Sequence, residues 1–439
     1  MAETKERAAT EVAGREAAPR QGETFAQGRG RSGVAILVVM FLLYMLNYMD
    51  RNVMGAVAEE MKRSLSLTDA QIGWFQTAFL VCIAGFAIPA AFIVDRWSRR
   101  KGIAIMALIW SLATATTGLA GGFVALLLTR VAVGVGEAGY SSGGTAMLSA
   151  AFPADRRAKI LGIFNASIPL GAALGTVLGG VIAQRTGSWS TPFFIFAVPG
   201  ALLAAATLLL RDYQTVRSEA TQGFGRALRT LLAIPTLRLT YLGFAMNVFV
   251  SSALLAWLPP YLSRLYGLDS AAAAKKAALV FVLALVGAPL GGFLADKWAA
   301  RNPRGRLLSC ATTSILAAVA LAAALLLGKS AGGFACLALW GIFTVAYLAP
   351  GGAITQDVVH PGLRATSWGA CVLSMYLLGG AYSPVIVGKL SDALGDIGQA
   401  LLVAPVAGLA AAVLFLLAGR TYEEDRRRVE PVELVREGK

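Results

Sequence analysis

Long, predominantly apolar stretches recur along most of the chain, and they limit the folds that it can adopt. Each stretch runs for about 18 residues or more, the length of an α-helix that crosses a lipid bilayer. Of the 439 residues, 56% are hydrophobic and only 15% are charged, which departs from the composition of a soluble protein. Because backbone groups in lipid must satisfy their own hydrogen bonds, the stretches predict helices. We therefore expect an all-α, polytopic membrane protein.

Twelve such windows can be counted, and each predicts one transmembrane helix. Their predicted first residues are Val34, Ile72, Ile103, Phe123, Ile160, Pro192, Leu239, Ala277, Leu307, Gly333, Ser367 and Gly398. The windows divide into two sets of six, which predicts two pseudo-symmetric six-helix bundles.

The expected division of the chain follows from the same windows. Residues 1–33 are expected to form a disordered cytoplasmic tail, and residues 34–210 the first bundle. A cytoplasmic linker over residues 211–238 leads to the second bundle at residues 239–419, and residues 420–439 form a second cytoplasmic tail. Gly223 and Gly225 predict that the linker is irregular.

The distribution of basic residues predicts the orientation. With both termini in the cytoplasm, most of the 39 Lys and Arg residues fall on the cytoplasmic side, as the positive-inside rule requires. The net charge of +14 is then explained by topology and by contact with anionic lipid, not by binding of nucleic acid. We expect a multi-pass protein of a bacterial inner membrane. The pattern predicts neither a metal site nor a cofactor other than a coupling proton.

Two similar charged motifs end the second and the eighth window, six helices apart. The motif residues are Asp95, Arg96, Arg99 and Arg100 in the first copy, and Asp296, Lys297 and Arg301 in the second. This paired motif resembles the loop signature of the major facilitator superfamily. The resemblance implies a cytoplasmic latch whose carboxylates and basic residues close an inner gate. A plain cluster of positive-inside loop charges is the alternative.

Four formal charges lie inside the apolar windows: Asp50, Arg51, Arg130 and Glu137. A charge in hydrocarbon costs several kcal/mol unless it is paired or faces water, which favours a functional role. The helical rise places Asp50 and Arg130 at about the same depth, where they can pair, and Glu137 two turns along the Arg130 face. Arg51 is expected to face elsewhere. We predict that Asp50 and Glu137 carry coupling protons, with a permanent structural ion pair as the alternative.

Three segments sharpen the resemblance: residues 46–51, residues 128–130 together with 134–141, and residues 168–171. They are similar to the Spinster branch of the superfamily, which implies transport of lysophospholipids or sphingoid-type lipids. Residues 171–180 also resemble the superfamily's antiporter motif, although the same glycine spacing is common in helix packing. The predicted substrate-binding residues are Arg130, Asn47, Tyr48, Tyr140 and Ser141 in the first half, and Asn247, Trp257, Tyr347 and Tyr376 in the second.

The favoured function is proton-coupled transport of an amphipathic, anionic or zwitterionic lipid-like molecule by alternating access. The alternatives are proton-driven uptake of an organic acid and efflux of cationic drugs. An embedded enzyme is disfavoured because no cluster of His, Cys or Ser offers a catalytic site. We expect a monomer whose other partner is the lipid bilayer.

Overall fold

The computed structural model describes residues 30–96, 98–152, 154–210, 224–360 and 363–429, which form helices and the turns between them. The first half contains eight helices in this part of the chain: α1 (Gly30–Ala56), α2 (Ala58–Leu65), α3 (Asp69–Arg96), α4 (Arg99–Thr117), α5 (Phe123–Glu137), α6 (Tyr140–Ala151), α7 (Ala154–Thr186) and α8 (Thr191–Leu208).

The second half begins with a short helix, and more of its membrane crossings are divided between consecutive helices. Its elements are α9 (Phe224–Ala233), α10 (Pro235–Tyr266), α11 (Ser270–Val282), α12 (Ala284–Ala299), α13 (Gly305–Leu327), α14 (Ala331–Phe343), α15 (Leu348–Asp357), α16 (Arg364–Ser374), a π-helical segment (Met375–Gly380), α17 (Ser383–Leu394), α18 (Ile397–Leu401) and α19 (Val403–Arg427).

The helix order confirms an all-α polytopic fold. Ten helical segments among the described residues are long and apolar enough to cross a membrane, judged by length and composition. The other two crossings belong to the first half. Helix α4 begins with three basic residues and carries several hydroxyl groups, and the crossing formed by α5 and α6 is interrupted at Ala138 and Gly139. These features shorten the continuous apolar helix at each of the two crossings, but the chain still crosses the membrane there.

Several helices begin earlier than their apolar windows predict. Helix α11, for example, starts at Ser270 and not at Ala277, because its first turns contain Lys275 and Lys276. The Lys276 ammonium lies 5.2 Å from the ring centre of Tyr266 and 4.8 Å from that of Phe334. A lysine at a helix end can place its stem along apolar groups and its charge at the membrane surface. The apolar window therefore marks only the central part of each helix.

Two predicted boundaries are wrong. The expected irregular linker contains α9, which includes Gly225, whereas residues 211–223 lie outside the described residues. The expected tail from residue 420 starts within α19, whose end is packed into the second half. There, Asp425 accepts a hydrogen bond of 3.0 Å from the backbone N–H of Thr236, and the Tyr422 hydroxyl donates one of 2.7 Å to Asp357. Of the predicted tail 1–33, residues 1–29 lie outside the described residues, and residues 30–33 belong to the start of α1.

The glycine pattern of α7 is a packing seam against α1. A Cβ atom at Gly175 would meet the backbone of Met49, and one at Gly179 would lie 2.6 Å from a methyl group of Val53. Such spacing of small residues lets two membrane helices approach closely. The resemblance of residues 171–180 to an antiporter motif therefore has a packing explanation, and α1 is held in place directly beside Asp50.

The two halves meet closely at the side opposite the chain ends, which we call the far side. A Cβ atom at Gly55 of α1 would lie 3.0 Å from the carbonyl oxygen of Ala256 on α10, and one at Gly180 of α7 would lie 2.6 Å from that of Ser270 on α11. On the chain-end side, the ion pair between Arg306 and Asp357 joins helices of the same half, at 2.5 Å. The far side of the molecule is therefore closed.

The seam yields a prediction for stability. Gly175→Ala should lower the free energy of unfolding by about 1–3 kcal/mol, because the added methyl group forces α7 away from α1. Gly162→Ala is the matched control on the same helix, since a Cβ atom there meets nothing within 4 Å. It should be neutral or stabilise by up to about 1 kcal/mol. Thermal unfolding of both purified variants in detergent measures the difference, and equal melting temperatures would refute the seam.

Candidate functional site

The four charged residues predicted from the apolar windows cluster inside the first half, between α1 and α5. Asp50, Arg130 and Glu137 are only 1%, 2% and 3% exposed. The side chain of Arg51 is 13% exposed. Charges this deeply buried require partners, because desolvation of each ion costs several kcal/mol.

Arg51 forms the direct ion pair of the cluster. Its Nε donates a hydrogen bond of 2.8 Å to Oε2 of Glu137. The guanidinium carbon lies 4.7 Å from the ring centre of Tyr48 and 5.1 Å from that of Phe79. The expectation that Arg51 faces elsewhere is therefore wrong. Side chains on a helix tilt toward its N-terminus, so a long arginine side chain on α1 reaches toward the deeper Glu137.

Asp50 and Arg130 are neighbours but do not form a direct ion pair. Oδ2 of Asp50 accepts a hydrogen bond of 2.6 Å from the Thr114 hydroxyl, and Nη2 of Arg130 donates one of 3.1 Å to the Thr117 hydroxyl. Arg130 also lies 5.3 Å from the ring centre of Phe193. Direct pairing was expected from equal depth, but depth along the helices does not reveal that α4 places two hydroxyl groups at this level.

The cluster retains unused hydrogen-bonding capacity. Oδ1 of Asp50, Oε1 of Glu137 and Nε of Arg130 are buried without a hydrogen-bond partner. Both side-chain polar atoms of Asn47, one turn before Arg51, are in the same condition. Buried polar groups are normally satisfied, and exceptions concentrate where a group must change partners. The arrangement can therefore accept a proton or a ligand atom.

A cavity of about 150 Å³ lies between the halves beside this cluster. Its first-half wall carries the charge of Arg51 together with Tyr48 and Gln76, and its second-half wall is mostly aliphatic and small. The complete lining is Tyr48, Arg51, Asn52, Met54, Gly55, Ile72, Gln76, Leu80, Val248, Ser251, Ser252, Leu255, Ala256, Tyr376 and Gly380. The π-helical segment supplies Tyr376 and Gly380, and such segments often occur at functional sites. Of the predicted substrate-binding residues, Tyr48 and Tyr376 line the cavity.

Four other predicted substrate-binding residues are buried and do not line the cavity. Asn247 donates to Ser314 at 2.9 Å, and the Trp257 indole donates to the Pro384 carbonyl at 2.9 Å. Tyr347 packs edge-on against Phe244, with ring centres 5.1 Å apart.

The Tyr140 hydroxyl donates a hydrogen bond of 2.6 Å to the Met40 carbonyl. Position on a helix did not distinguish the interior of a half from the surface between the halves. The side chain of Ser141 lies outside the described residues, as do those of Asp95 and Arg96.

For four of the other predicted gate residues, Arg100, Asp296, Lys297 and Arg301, the structure describes no contact between the two halves. Asp296, Lys297 and Arg301 are exposed on the chain-end side. Arg100 donates to the Leu210 carbonyl at 3.0 Å within the first half, and Arg99 begins α4. The cytoplasmic latch therefore stays a prediction.

The far side is joined by a network of charges that sequence reasoning did not identify. We call it the interlock, and it consists of Glu59, Lys62 and Asp69 from the first half and Arg264, Ser391 and Asp392 from the second. Arg264 contacts both oxygens of Asp69, at 2.6 and 2.7 Å, and its Nε contacts Glu59 at 2.8 Å. Lys62 and the Ser391 hydroxyl also contact Asp69, at 2.5 and 2.6 Å.

Asp392 completes the interlock at a helix end. Its carboxylate accepts hydrogen bonds from the backbone N–H groups of Asp69 and Ala70, at 2.9 and 2.8 Å. These residues begin α3, and an anion at a helix N-terminus is stabilised by the free N–H groups and the helix dipole. The second half therefore caps a helix of the first. Charges near window ends were visible in the sequence, but nothing there indicated which ones meet.

Within the described residues, no group of three or more His, Cys, Asp and Glu is arranged to hold a metal ion.

Comparisons with known proteins agree with this geometry. The chain is 26% identical to protein spinster homolog 1 of Xenopus laevis, covering 91% of this chain and 83% of that protein. It is 30% identical to an MFS-type efflux pump of Mycolicibacterium smegmatis, covering 90% and 94%. The crystal structure of a bacterial homolog to the human lysosomal transporter Spinster, inward-facing and unoccupied, superposes with a TM-score of 0.77 at 27% identity, covering 92% and 100%.

The sequence profile of the Major Facilitator Superfamily matches residues 40–384. The match includes the charged cluster and extends from the first half into the second, ending before Ser391 and Asp392 of the interlock. With its helix order and its Spinster relatives, the chain belongs to the Major Facilitator Superfamily of membrane transporters.

Proposed function

We propose that this transporter carries an amphipathic substrate with an anionic or zwitterionic headgroup, coupled to protons, by alternating access. The observation that supports this most strongly is the ion pair between Arg51 and Glu137 at the wall of the cavity between the halves. An arginine there is available to a substrate and already has a carboxylate that the substrate can replace.

Arg51 is better placed than Arg130 to bind the headgroup. Arg51 lines the cavity, whereas Arg130 is 2% exposed and is held by Thr117 and Phe193. A guanidinium binds phosphate or carboxylate through two parallel hydrogen bonds. In this proposal Arg130 balances the charge of Asp50, and the role first given to Arg130 passes to Arg51.

The remaining lining suits an apolar body. Val248, Leu255 and Ala256 face the charged wall from the second half. The volume of about 150 Å³ is below that of a typical pocket for a drug-sized ligand, so it suits a headgroup. An acyl chain would extend from it between the halves, where burial of each methylene group contributes about 0.8 kcal/mol.

Exchange of partners at Arg51 provides a means of coupling. When a substrate anion takes the guanidinium, Glu137 loses its ion-pair partner while it remains buried. An unpaired buried carboxylate is neutralised by a proton, because the charged form is strongly disfavoured there. Substrate and proton would then bind together, which favours transport in the same direction. Asp50, beside Arg130, is the second proposed proton-carrying group.

The orientation is also part of the proposal. We place both termini in the cytoplasm of a bacterial cell, from the distribution of basic residues. The interlock then lies outside, and the protein is closed to the exterior. The inward-facing conformation of the similar bacterial Spinster homolog supports this assignment.

Binding measurements test the substrate class. Purified protein is titrated with lysophosphatidylglycerols of increasing acyl length, with glucuronate and with tetraphenylphosphonium. We expect the lysolipids to bind, with up to about a fourfold gain in affinity for each added methylene group until the space is filled. Binding of glucuronate alone would support organic-acid transport, and binding of the lipophilic cation alone would support drug efflux. Either result would overturn the lipid proposal.

Arg51→Lys tests the anion-binding residue. The variant keeps the charge but loses the planar fork, so we expect affinity for lysophosphatidylglycerol to fall about tenfold or more. Arg185→Lys, at the exposed end of α7, is the matched control and should leave affinity unchanged. Equal affinities of the Arg51→Lys and parent proteins would show that Arg51 does not hold the headgroup.

Asp50→Asn tests proton coupling in proteoliposomes. The amide keeps the shape of the side chain but cannot carry a proton, so uptake driven by a pH gradient should be lost while exchange of labelled for unlabelled lysolipid persists. Asp269→Asn is the control, since that carboxylate caps α11 and lies far from the cluster. Gradient-driven uptake at the parent rate would exclude Asp50 as a coupling group.

Asp69→Asn tests the interlock. Loss of a buried carboxylate that contacts two cations should destabilise the far-side contact by about 1–3 kcal/mol, increasing the far-side-open population about 5- to 150-fold. Asp396→Asn is the control, because Asp396 only caps α18 within its own half. Distances between spin labels across the far side report the populations. Identical distance distributions in the parent and the Asp69 variant would contradict the assigned role.

A further inference from the structure

Two hydroxyl groups of α4 connect to Asp50 and Arg130. Thr114 and Thr117, 1% and 0% exposed, lie one helical turn apart. The Thr114 hydroxyl donates its proton to Asp50, at 2.6 Å. The Thr117 hydroxyl donates to the Ala113 carbonyl at 3.0 Å, which leaves its oxygen to accept from Arg130. Thr114 therefore acts as a hydrogen-bond donor to Asp50, and Thr117 acts as a hydrogen-bond acceptor from Arg130.

The other groups around Asp50 and Arg130 determine how strongly these two hydrogen bonds affect the two charges. Oδ1 of Asp50 and Nε of Arg130 have no hydrogen-bond partner, which leaves the bonds to Thr114 and Thr117 as the described side-chain hydrogen bonds of these two groups. The charged groups that face Asp50 are Arg130 and Glu137 on α5 and Arg51 on its own helix. Helix α8 contributes the Phe193 ring, and the seam with α7 contributes glycines. The hydroxyl group that is hydrogen-bonded to Asp50 comes from α4.

We propose that Thr114 and Thr117 are positioning residues that set the proton affinity of Asp50 in opposite directions; this rests on the proposed function, in which Asp50 carries a coupling proton. The Thr114 bond favours the ionised carboxylate, because a hydrogen bond donated to the charged form stabilises it. The Thr117 bond keeps Arg130 from a direct ion pair with Asp50 and so favours the protonated acid. The balance lets Asp50 gain and lose a proton without being trapped in either form.

Infrared titration of the ligand-free protein tests the proposal, with the carboxylic-acid band of Asp50 identified by its loss in Asp50→Asn. In Thr114→Val, the midpoint of the titration should move about one pH unit higher, since a hydrogen bond to a charged group is lost. In Thr117→Val, it should move lower, since Arg130 is released toward Asp50. The corresponding serine variants should restore the parent midpoint.

Thr116→Val is the matched control, because Thr116 is exposed on the same helix and donates to the same Ala113 carbonyl without reaching the pair. Its midpoint should equal that of the parent. If a valine variant does not fold, the alanine variant replaces it with the same expected sign. Midpoints that move in the same direction in both variants, or not at all, overturn the proposal. Gradient-driven transport that survives Asp50→Asn would instead overturn the proposed role of Asp50 itself.

Discussion

Burial of four formal charges between the apolar helices of the first half is the constraint on which the rest of the structure depends. Desolvation of each ion costs several kcal/mol, so the fold must bring partners to it. Glu137 receives Arg51 from another helix, and Asp50 and Arg130 receive hydroxyl groups from a third. These contacts require α1, α4 and α5 to keep one arrangement. The glycine seam of α7 against α1 contributes directly to that arrangement.

Two groups of charges in this protein have different environments. The buried cluster is enclosed and incompletely bonded, and its members can exchange partners with a ligand or a proton. The interlock is partly solvated and densely bonded, with Asp69 contacting Lys62, Arg264 and Ser391 together. A transporter needs both properties, because its binding site must respond to the substrate while its closed side remains closed until that response occurs.

The fold and the presence of buried charges in the first half were predictable from the sequence. Apolar windows give the crossings because lipid imposes a minimum helix length, and Asp50, Arg130 and Glu137 are conspicuous because charges in such windows are rare. The sequence did not predict correctly which of these charges form pairs. Helix geometry gives the direction of the Cα–Cβ bond. Whether the Arg51 side chain contacts Glu137 depends on how α1 and α5 pack together.

Other features depend on contacts between distant parts of the chain. Thr114 and Thr117 look like ordinary helix hydroxyls until α4 is placed beside the cluster. The interlock joins Asp69 to Arg264 and Ser391, which are far away in sequence, so no local pattern identifies it. The aromatic candidates Trp257 and Tyr347 do not line the cavity for a related reason, since an aromatic side chain in a membrane helix packs equally well inside a half or at its surface.

The central claim is that substrate displaces Glu137 from Arg51 and that Glu137 then takes up a proton. Titration calorimetry of lysophosphatidylglycerol binding, in two buffers with different heats of ionisation, counts that proton directly. The account predicts uptake of about one proton for each bound substrate near neutral pH, and none in Glu137→Gln. A binding enthalpy that is the same in both buffers for the parent protein would contradict the account.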